Sequence, residues 1–143
     1  MRRMNAANSD ERPRKEAVLD WSRQVFANAG LTPTSEQFND IASTMAGSIV
    51  MQILVPFAEE RCAPDFVRYL GVFEVSEENV LEHFDAACSM LALMSAKAEG
   101  QDPASPNDPH LVRVEDEIDA RMKHLLALAL PEWATGVRQE YGP

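Results

Sequence analysis

The feature that most constrains this chain is a long stretch without charge, because no Asp, Glu, Lys or Arg lies between Ile41 and Ala58. A helix that is apolar on nearly all sides is either a membrane span or the innermost helix of a soluble bundle. The stretch is near the lower limit of a bilayer span, roughly 17 to 25 residues. It contains polar side chains, and its immediate flanks carry acidic residues instead of the Lys or Arg typical of membrane anchors. We therefore predict the central helix of a soluble bundle and no membrane insertion.

Amphipathic patterns around this stretch supply the helices that would surround it. A first helix is predicted over about Arg14 to Ala29, where apolar residues recur on one face. Thr34 and Gln37 have the spacing of a capping box at the start of the second helix. That helix is predicted to run over about 35–61, with a kink or a break at Pro56, which lacks a donor N–H.

Three further helical segments follow. A short one is predicted over 65–70, and a long third helix is predicted to begin at the N-cap Ser76 and to end at Gly100. Asp108-Pro109 is typical of another helix start, with Asp as the cap and Pro in the first turn. We expect Pro131 to separate a last short helix from this one.

These patterns predict an all-α fold, with no convincing strand and no internal repeat. A chain of 143 residues is long enough to bury a core without disulfides or metals. We predict a single-domain bundle of four to six helices over residues 14–143, with the largely apolar second helix at its centre. Residues 1–13 are predicted to form a mobile, mildly basic N-terminal arm.

The negative charge is concentrated in one part of the sequence. The chain has a net charge of −10, and residues 74–119 contain twelve carboxylates against only Lys97 and Arg113. The remaining segments cancel one another, so this segment accounts for the whole imbalance. Such a surface attracts basic partners and accelerates their association, although the same charge can also serve solubility alone.

Catalytic and metal-binding patterns are not found in the sequence. His83, His110 and His124 are scattered, and none completes a Glu-x-x-His pair of a carboxylate-bridged metal site. Cys62 and Cys88 are predicted to be reduced, buried thiols, which places the chain in the cytoplasm. No Gly-rich phosphate loop and no nucleophile elbow is present. We therefore expect no enzymatic activity, no metal and no cofactor.

The basic residues near the N-terminus raise the question of nucleic acid. A basic arm can contact phosphates, but the acidic domain behind it would repel a duplex, so we predict no direct nucleic-acid binding. The residues concerned are Arg2, Arg3, Arg12, Arg14 and Lys15.

The favoured hypothesis is a non-enzymatic helical protein that binds a basic protein partner and acts as a regulator or inhibitor. Proteins that mimic phosphate charge have a similar composition, so the partner could be one that normally handles nucleic acid; this comparison is an analogy. The predicted contacts are carboxylates on the third and fourth helices, provided that these helices pack as neighbours. They are Glu77, Glu78, Glu82, Asp85, Glu115, Asp116 and Asp119.

Surplus apolar residues, such as Met51, Val55, Met90 and Leu128, also predict a homodimer, because self-association covers them more easily than one small bundle does. Two alternatives stay open. One is a small-ligand-binding or enzymatic bundle with a pocket near His83, His124 or Cys62, and the other is an assembly subunit of a larger complex.

Overall fold

The computed structural model describes residues 14–103, 105 and 107–143, and these residues form five helices and no strand. The predicted N-terminal arm, residues 1–13, lies outside the described residues. The predicted all-α, single-domain bundle is confirmed. Its helices are α1 (Arg14–Ala29), α2 (Ser35–Glu60), α3 (Asp65–Val72), α4 (Val80–Ala98) and α5 (Pro109–Tyr141).

Helix α2 lies inside the bundle and contacts α1, α4 and α5. It begins at the predicted capping box, in which Thr34 and Gln37 exchange both hydrogen bonds. The predicted interruption takes the form of a π-helical turn, Val50–Leu54, after which the α-helix continues as Val55–Glu60. This wider turn gives room to the ring of Pro56, which would otherwise crowd the carbonyl group one turn earlier. The helix therefore changes its hydrogen-bond spacing over one turn and does not break.

The apolar helix α2 is partly buried within the fold. By length and composition alone this helix could cross a membrane, and half of its most apolar window is buried within the fold. Met45, Ile49, Leu54 and Phe57 are at most 1% exposed. The core helix of a soluble protein passes the same test of length and composition, so the absence of membrane insertion stays a prediction.

The start of α4 differs from the prediction, because Ser76 is not its N-cap. The helix begins at Val80, and the backbone N–H of Ser76 donates to Oδ1 of Asn79 at 2.7 Å. Asn79 also donates through its side-chain amide to the carbonyl oxygen of Glu74 at 3.0 Å. Asn79 therefore organises a turn ahead of the helix, and Glu77 and Glu78 lie in this turn and not in the first helical turn.

The expected break at Pro131 is also wrong, because α5 is one helix of 33 residues that continues through this proline. The indole N–H of Trp21 on α1 donates to the carbonyl oxygen of Leu126 at 2.8 Å. Trp133 packs edge-to-face on Trp21, with ring centroids 5.3 Å apart. Packing against α1 therefore holds both halves of the helix in line across the proline.

Candidate functional site

Three of the seven predicted partner-binding carboxylates bind the N-terminal end of α1 instead. They are Asp85, Glu115 and Asp119. Arg14 is only 2% exposed, and its guanidinium donates to Glu115 at 2.9 Å and to Asp119 at 3.1 Å. A third hydrogen bond runs to the hydroxyl oxygen of Ser89 on α4 at 3.0 Å. These charge-assisted bonds tie α1 to α4 and α5.

Asp85 on α4 binds the same end of α1. Its Oδ1 accepts a hydrogen bond from the backbone N–H of Lys15 at 2.8 Å. A carboxylate at this position satisfies a donor of the first helical turn and interacts favourably with the helix dipole. Asp85 is exposed, but its carboxylate already has this structural role within the chain.

The expectation that Glu115 lies on an exposed acidic face is wrong, because its side chain is 1% exposed. Helices α4 and α5 do pack as neighbours, as that expectation required. However, α5 turns Glu115 inward, where burial of a carboxylate needs a compensating charge, and Arg14 supplies it. Arg14 is accordingly a core residue and not part of a basic arm.

A second group of carboxylates is paired with Arg61, which follows the end of α2. Arg61 donates to Glu99 at 2.9 Å and also contacts Glu117, and its own side chain is 19% exposed. These two glutamates belong to the strongly acidic segment of the sequence, yet both are bound within the chain. Four of the seven carboxylates within residues 99–119 are therefore paired with two arginines from other parts of the chain.

Two arginines lie close to the ring of Phe57 next to this group. The guanidinium carbons of Arg61 and Arg121 lie 4.6 and 4.8 Å from the ring centroid. Arg121 also donates two hydrogen bonds to Glu60, at 2.8 and 3.1 Å, which lower the pKa of that carboxyl. The pairing stabilises the contact between α2 and α5.

The remaining acidic residues meet elsewhere, in a cleft of about 610 Å³ between α2, the turn before α4 and the end of α5. We call it the acidic cleft. Two of its carboxylates, Glu77 and Glu78, were predicted as partner contacts, and both are exposed. The cleft is lined by two aromatic rings and four carboxylates in addition to small polar residues. The rings are Trp133 and Tyr141, and the carboxylates are Asp40, Glu77, Glu78 and Glu140.

A second cleft of about 570 Å³ adjoins the first. The two share Ile41, Trp133 and Glu140 in their walls, and the second adds Glu132. No Lys or Arg is among the described residues that line either cleft. Five carboxylates thus line the two clefts on which the half-buried indole ring of Trp133 borders, and no described Lys or Arg lines either one.

The pKa of the Tyr141 hydroxyl reflects the negative charge of the acidic cleft. Burial raises the pKa of its hydroxyl, and the negative charges of Glu140 and Asp40 raise it further. A negative potential disfavours the phenolate for the same reason that it favours a bound cation. The ring itself is held in place by stacking on Phe26, with centroids 6.2 Å apart.

Glu82 and Asp116, the two other predicted contacts, are exposed on α4 and α5 and line neither cleft. The seven predicted residues therefore do not form one face. Glu77 and Glu78 join the acidic cleft, whereas Asp85, Glu115 and Asp119 have structural roles. Sequence reasoning missed Asp40, Glu132, Glu140 and the two rings, because these residues come from chain segments about 100 positions apart.

The histidines and cysteines do not meet at one site. His110 binds Glu99 at 3.0 Å, and His83 lies 6.4 Å from the ring of Phe73. Within the described ranges, no three His, Cys, Asp or Glu side chains are grouped so that they could hold a metal ion. Cys88 is buried, and Cys62 is exposed, so the expectation of two buried thiols is wrong for Cys62.

Comparisons with known proteins give no further guidance, since no family model, no curated protein and no solved structure matches this chain.

Proposed function

We propose that this chain is a non-enzymatic binding protein that engages a basic segment of a protein partner through the acidic cleft, and so regulates or inhibits that partner. The observation that carries the proposal is the set of five carboxylates around Trp133 with no lining Lys or Arg. Side chains of Lys and Arg complement such a surface in two ways. They form ion pairs with the carboxylates, and they stack on an aromatic face.

The geometry also explains how weak surface contacts would add up to a specific interaction. A single exposed ion pair contributes only about 0–1 kcal/mol, so one carboxylate would not select a partner. Several carboxylates in one concave surface raise the local negative potential and steer a basic segment into it. The proposed partner-binding set therefore keeps Glu77 and Glu78 and adds Asp40, Glu132 and Glu140. The other five predicted contacts are left out, namely Glu82, Asp85, Glu115, Asp116 and Asp119.

The first experiment measures binding of a synthetic peptide rich in Lys and Arg by tryptophan fluorescence. Trp133 is half-buried in the cleft, whereas Trp21 is 3% exposed, so a change in emission reports on the cleft. The triple variant E78K/E132K/E140K should weaken binding at least about 10-fold, which corresponds to about 1.4 kcal/mol. The wild-type affinity should fall as salt rises.

A matched control reverses three exposed carboxylates that line neither cleft, in the variant E16K/D20K/E59K. It changes the net charge by the same amount, so a loss that depends only on net charge would appear equally in both variants. Equal losses would contradict the cleft as the binding site. A pull-down from cell extract at low and high salt, with both variants as baits, then identifies the partner.

The two alternatives predict different results in the same preparation. A stoichiometric metal ion in the purified protein would favour a ligand-binding or enzymatic bundle. Insolubility that a co-expressed neighbour cures would favour a subunit of a larger complex.

A further inference from the structure

A further concave surface lies along the outer side of α2 and adjoins the acidic cleft, with which it shares Thr44 and Glu77. It is a groove of about 450 Å³ between α2 and the segment that leads into α4. We call it the α2 groove. Most of its lining residues are apolar or small, and only one carries a charge. They are Thr44, Gly47, Ser48, Val50, Met51, Val75, Ser76, Glu77 and Val80.

Large apolar side chains are exposed at this groove and beside it in the chain. Met51 on its wall is 66% exposed. Val72 and Phe73 are 70% and 52% exposed, and they precede Val75 of the groove wall by only two or three residues. Exposed apolar residues clustered in this way are typical of interaction surfaces.

The charge pattern restricts what can cover the α2 groove. The outer strip of α2 from Thr44 to Val55 belongs to the stretch without charged residues and is about 16 Å long at the helical rise of about 1.5 Å per residue. A basic partner finds no counter-charge along this strip. Two copies of a chain with a net charge of −10 repel each other over most of their surfaces, and this neutral strip is a place where they can approach.

We propose that a second copy of this chain covers the α2 groove, with the two α2 helices packed across a two-fold axis and Met51 of each copy entering the groove of the other. A two-fold interface requires one surface to present both a projection and a matching recess. Met51 is such a projection, and the recess beside it is lined by Gly47, where an added Cβ would lie 3.8 Å from Cγ of Glu77. Unbranched Met side chains also adapt well to a contact surface.

A dimer contact of ordinary size has to extend beyond α2. A stable interface buries roughly 800 Å² on each partner, which one 16 Å strip of helix does not supply alone. Val72 and Phe73 extend the apolar surface at the end of α3. Thr44 and Glu77 line both surfaces, but Met51 lines the groove and neither cleft, so a substitution at Met51 separates the dimer from the proposed function.

Sedimentation equilibrium of the full chain at micromolar concentrations tests the proposal, with Met51→Glu as the main variant. Wild type should sediment at twice the 15.9 kDa mass of the chain. Met51→Glu places like charges together at the interface and should raise the dimer dissociation constant at least about 10-fold. Met51 is exposed in the single chain, so this substitution leaves the core intact.

Leu128→Glu is the matched control, because Leu128 is also 66% exposed but lies on α5 and does not line the groove. Leu128→Glu should change the dimer dissociation constant by less than about 2-fold, because a substitution at an exposed position outside the contact removes no packing. A monomeric wild type, or equal effects of the two variants, would overturn the proposal.

Salt separates this inference from the proposed function. Added salt screens the repulsion between two acidic chains, so the dimer should become tighter, whereas binding of a basic peptide should become weaker. Loss of peptide binding with an intact dimer would refute only the acidic cleft as a binding site. A monomer that still binds the peptide would refute only the dimer.

Discussion

Arg14 and Glu115 form an ion pair in the protein interior, with Nη2 and Oε2 2.9 Å apart and the two side chains 2% and 1% exposed. The pair joins the first residue of α1 to the second turn of the long helix α5. Desolvation by burial opposes the charge of Arg14, but the interactions with Cys88, Asp119 and Glu115 outweigh it, so the pKa of Arg14 is raised. The position of α1 therefore depends on carboxylates that the sequence pattern assigns to the surface.

Replacement of Arg14 should be strongly destabilising. Arg14→Met leaves Glu115 buried without its counter-charge, so we expect the free energy of unfolding to fall by about 3–5 kcal/mol. Urea denaturation followed by circular dichroism measures this change. The matched control is Arg23→Met, because Arg23 pairs with Asp20 at 3.7 Å on the surface, with the two side chains 57% and 67% exposed. The control should lose less than about 1 kcal/mol, and similar losses in both variants would contradict a structural role for the buried pair.

The sequence contained a signal for this pair that charge counting did not use. Arg14 lies four positions before Val18, on the apolar face of α1. Glu115 lies four positions after Leu111 and three before Ile118, on the apolar face of α5. A charged residue within an apolar stripe is costly to bury alone, so one such residue on each of two helices indicates a partner across the core.

Local features of the fold were predictable because their chemistry is local. The Thr34 and Gln37 capping box needs only the residues it contains, and so does the cap at Asp108. The helix through Pro131 depends instead on Trp21, which lies more than 100 positions away in the chain. Propensity predicts a break at that proline, and tertiary packing overrides it.

The acidic cleft could be predicted only in part. The turn containing Glu77 and Glu78 is local, and its acidic character is visible in the sequence. Its counterparts Asp40 and Glu140 come from the start of α2 and the end of α5, and no periodicity relates these positions. Which carboxylates remain at the surface is decided by the arginines that bind the others, and that pairing appears only in three dimensions.

The two cysteines should differ sharply in reactivity. Burial raises the pKa of the Cys88 thiol to about 12, although the nearby charge of Arg14 acts in the opposite direction. Cys62 is exposed at a left-handed residue, with φ 56°, directly after Arg61 at the end of α2. Because the thiolate is the reactive form, a thiol reagent at pH 8 should modify Cys62 rapidly and Cys88 only after unfolding.

The same shift predicts how stability depends on alkaline pH. A thiol whose pKa is higher in the folded than in the unfolded state contributes stability that is complete below about pH 9 and is lost as the pH rises towards 12. Cys88→Ala should therefore unfold with a weaker pH dependence over this range than wild type, and Cys62→Ala is the control that retains the dependence. Rapid modification of both thiols in the folded protein, or identical pH profiles of the two variants, would contradict the burial of Cys88.

Pro131 should limit the stability of α5, although the helix continues through it. A proline inside a helix removes one backbone hydrogen bond and costs about 3 kcal/mol relative to alanine. Pro131 has no N–H to donate to the carbonyl of Ala127, but Ala127 is exposed to water. The carbonyl of the preceding residue, Leu126, accepts a hydrogen bond from Trp21. Pro131→Ala should therefore raise the free energy of unfolding by about 1–3 kcal/mol, since part of the cost is already offset.

Thermal and urea unfolding of Pro131→Ala measure this gain, with Pro33→Ala as the control. Pro33 lies in the connector before α2, outside any helix, so its replacement should change stability by less than about 1 kcal/mol. A loss of stability in Pro131→Ala would mean that the proline is needed to set the direction of the last turns. Trp133 would then be displaced from Trp21, and the change would appear in the near-ultraviolet circular dichroism of the two indoles. An increase with an unchanged aromatic spectrum would show that contacts with α1, and not the proline, place Trp133 in the acidic cleft.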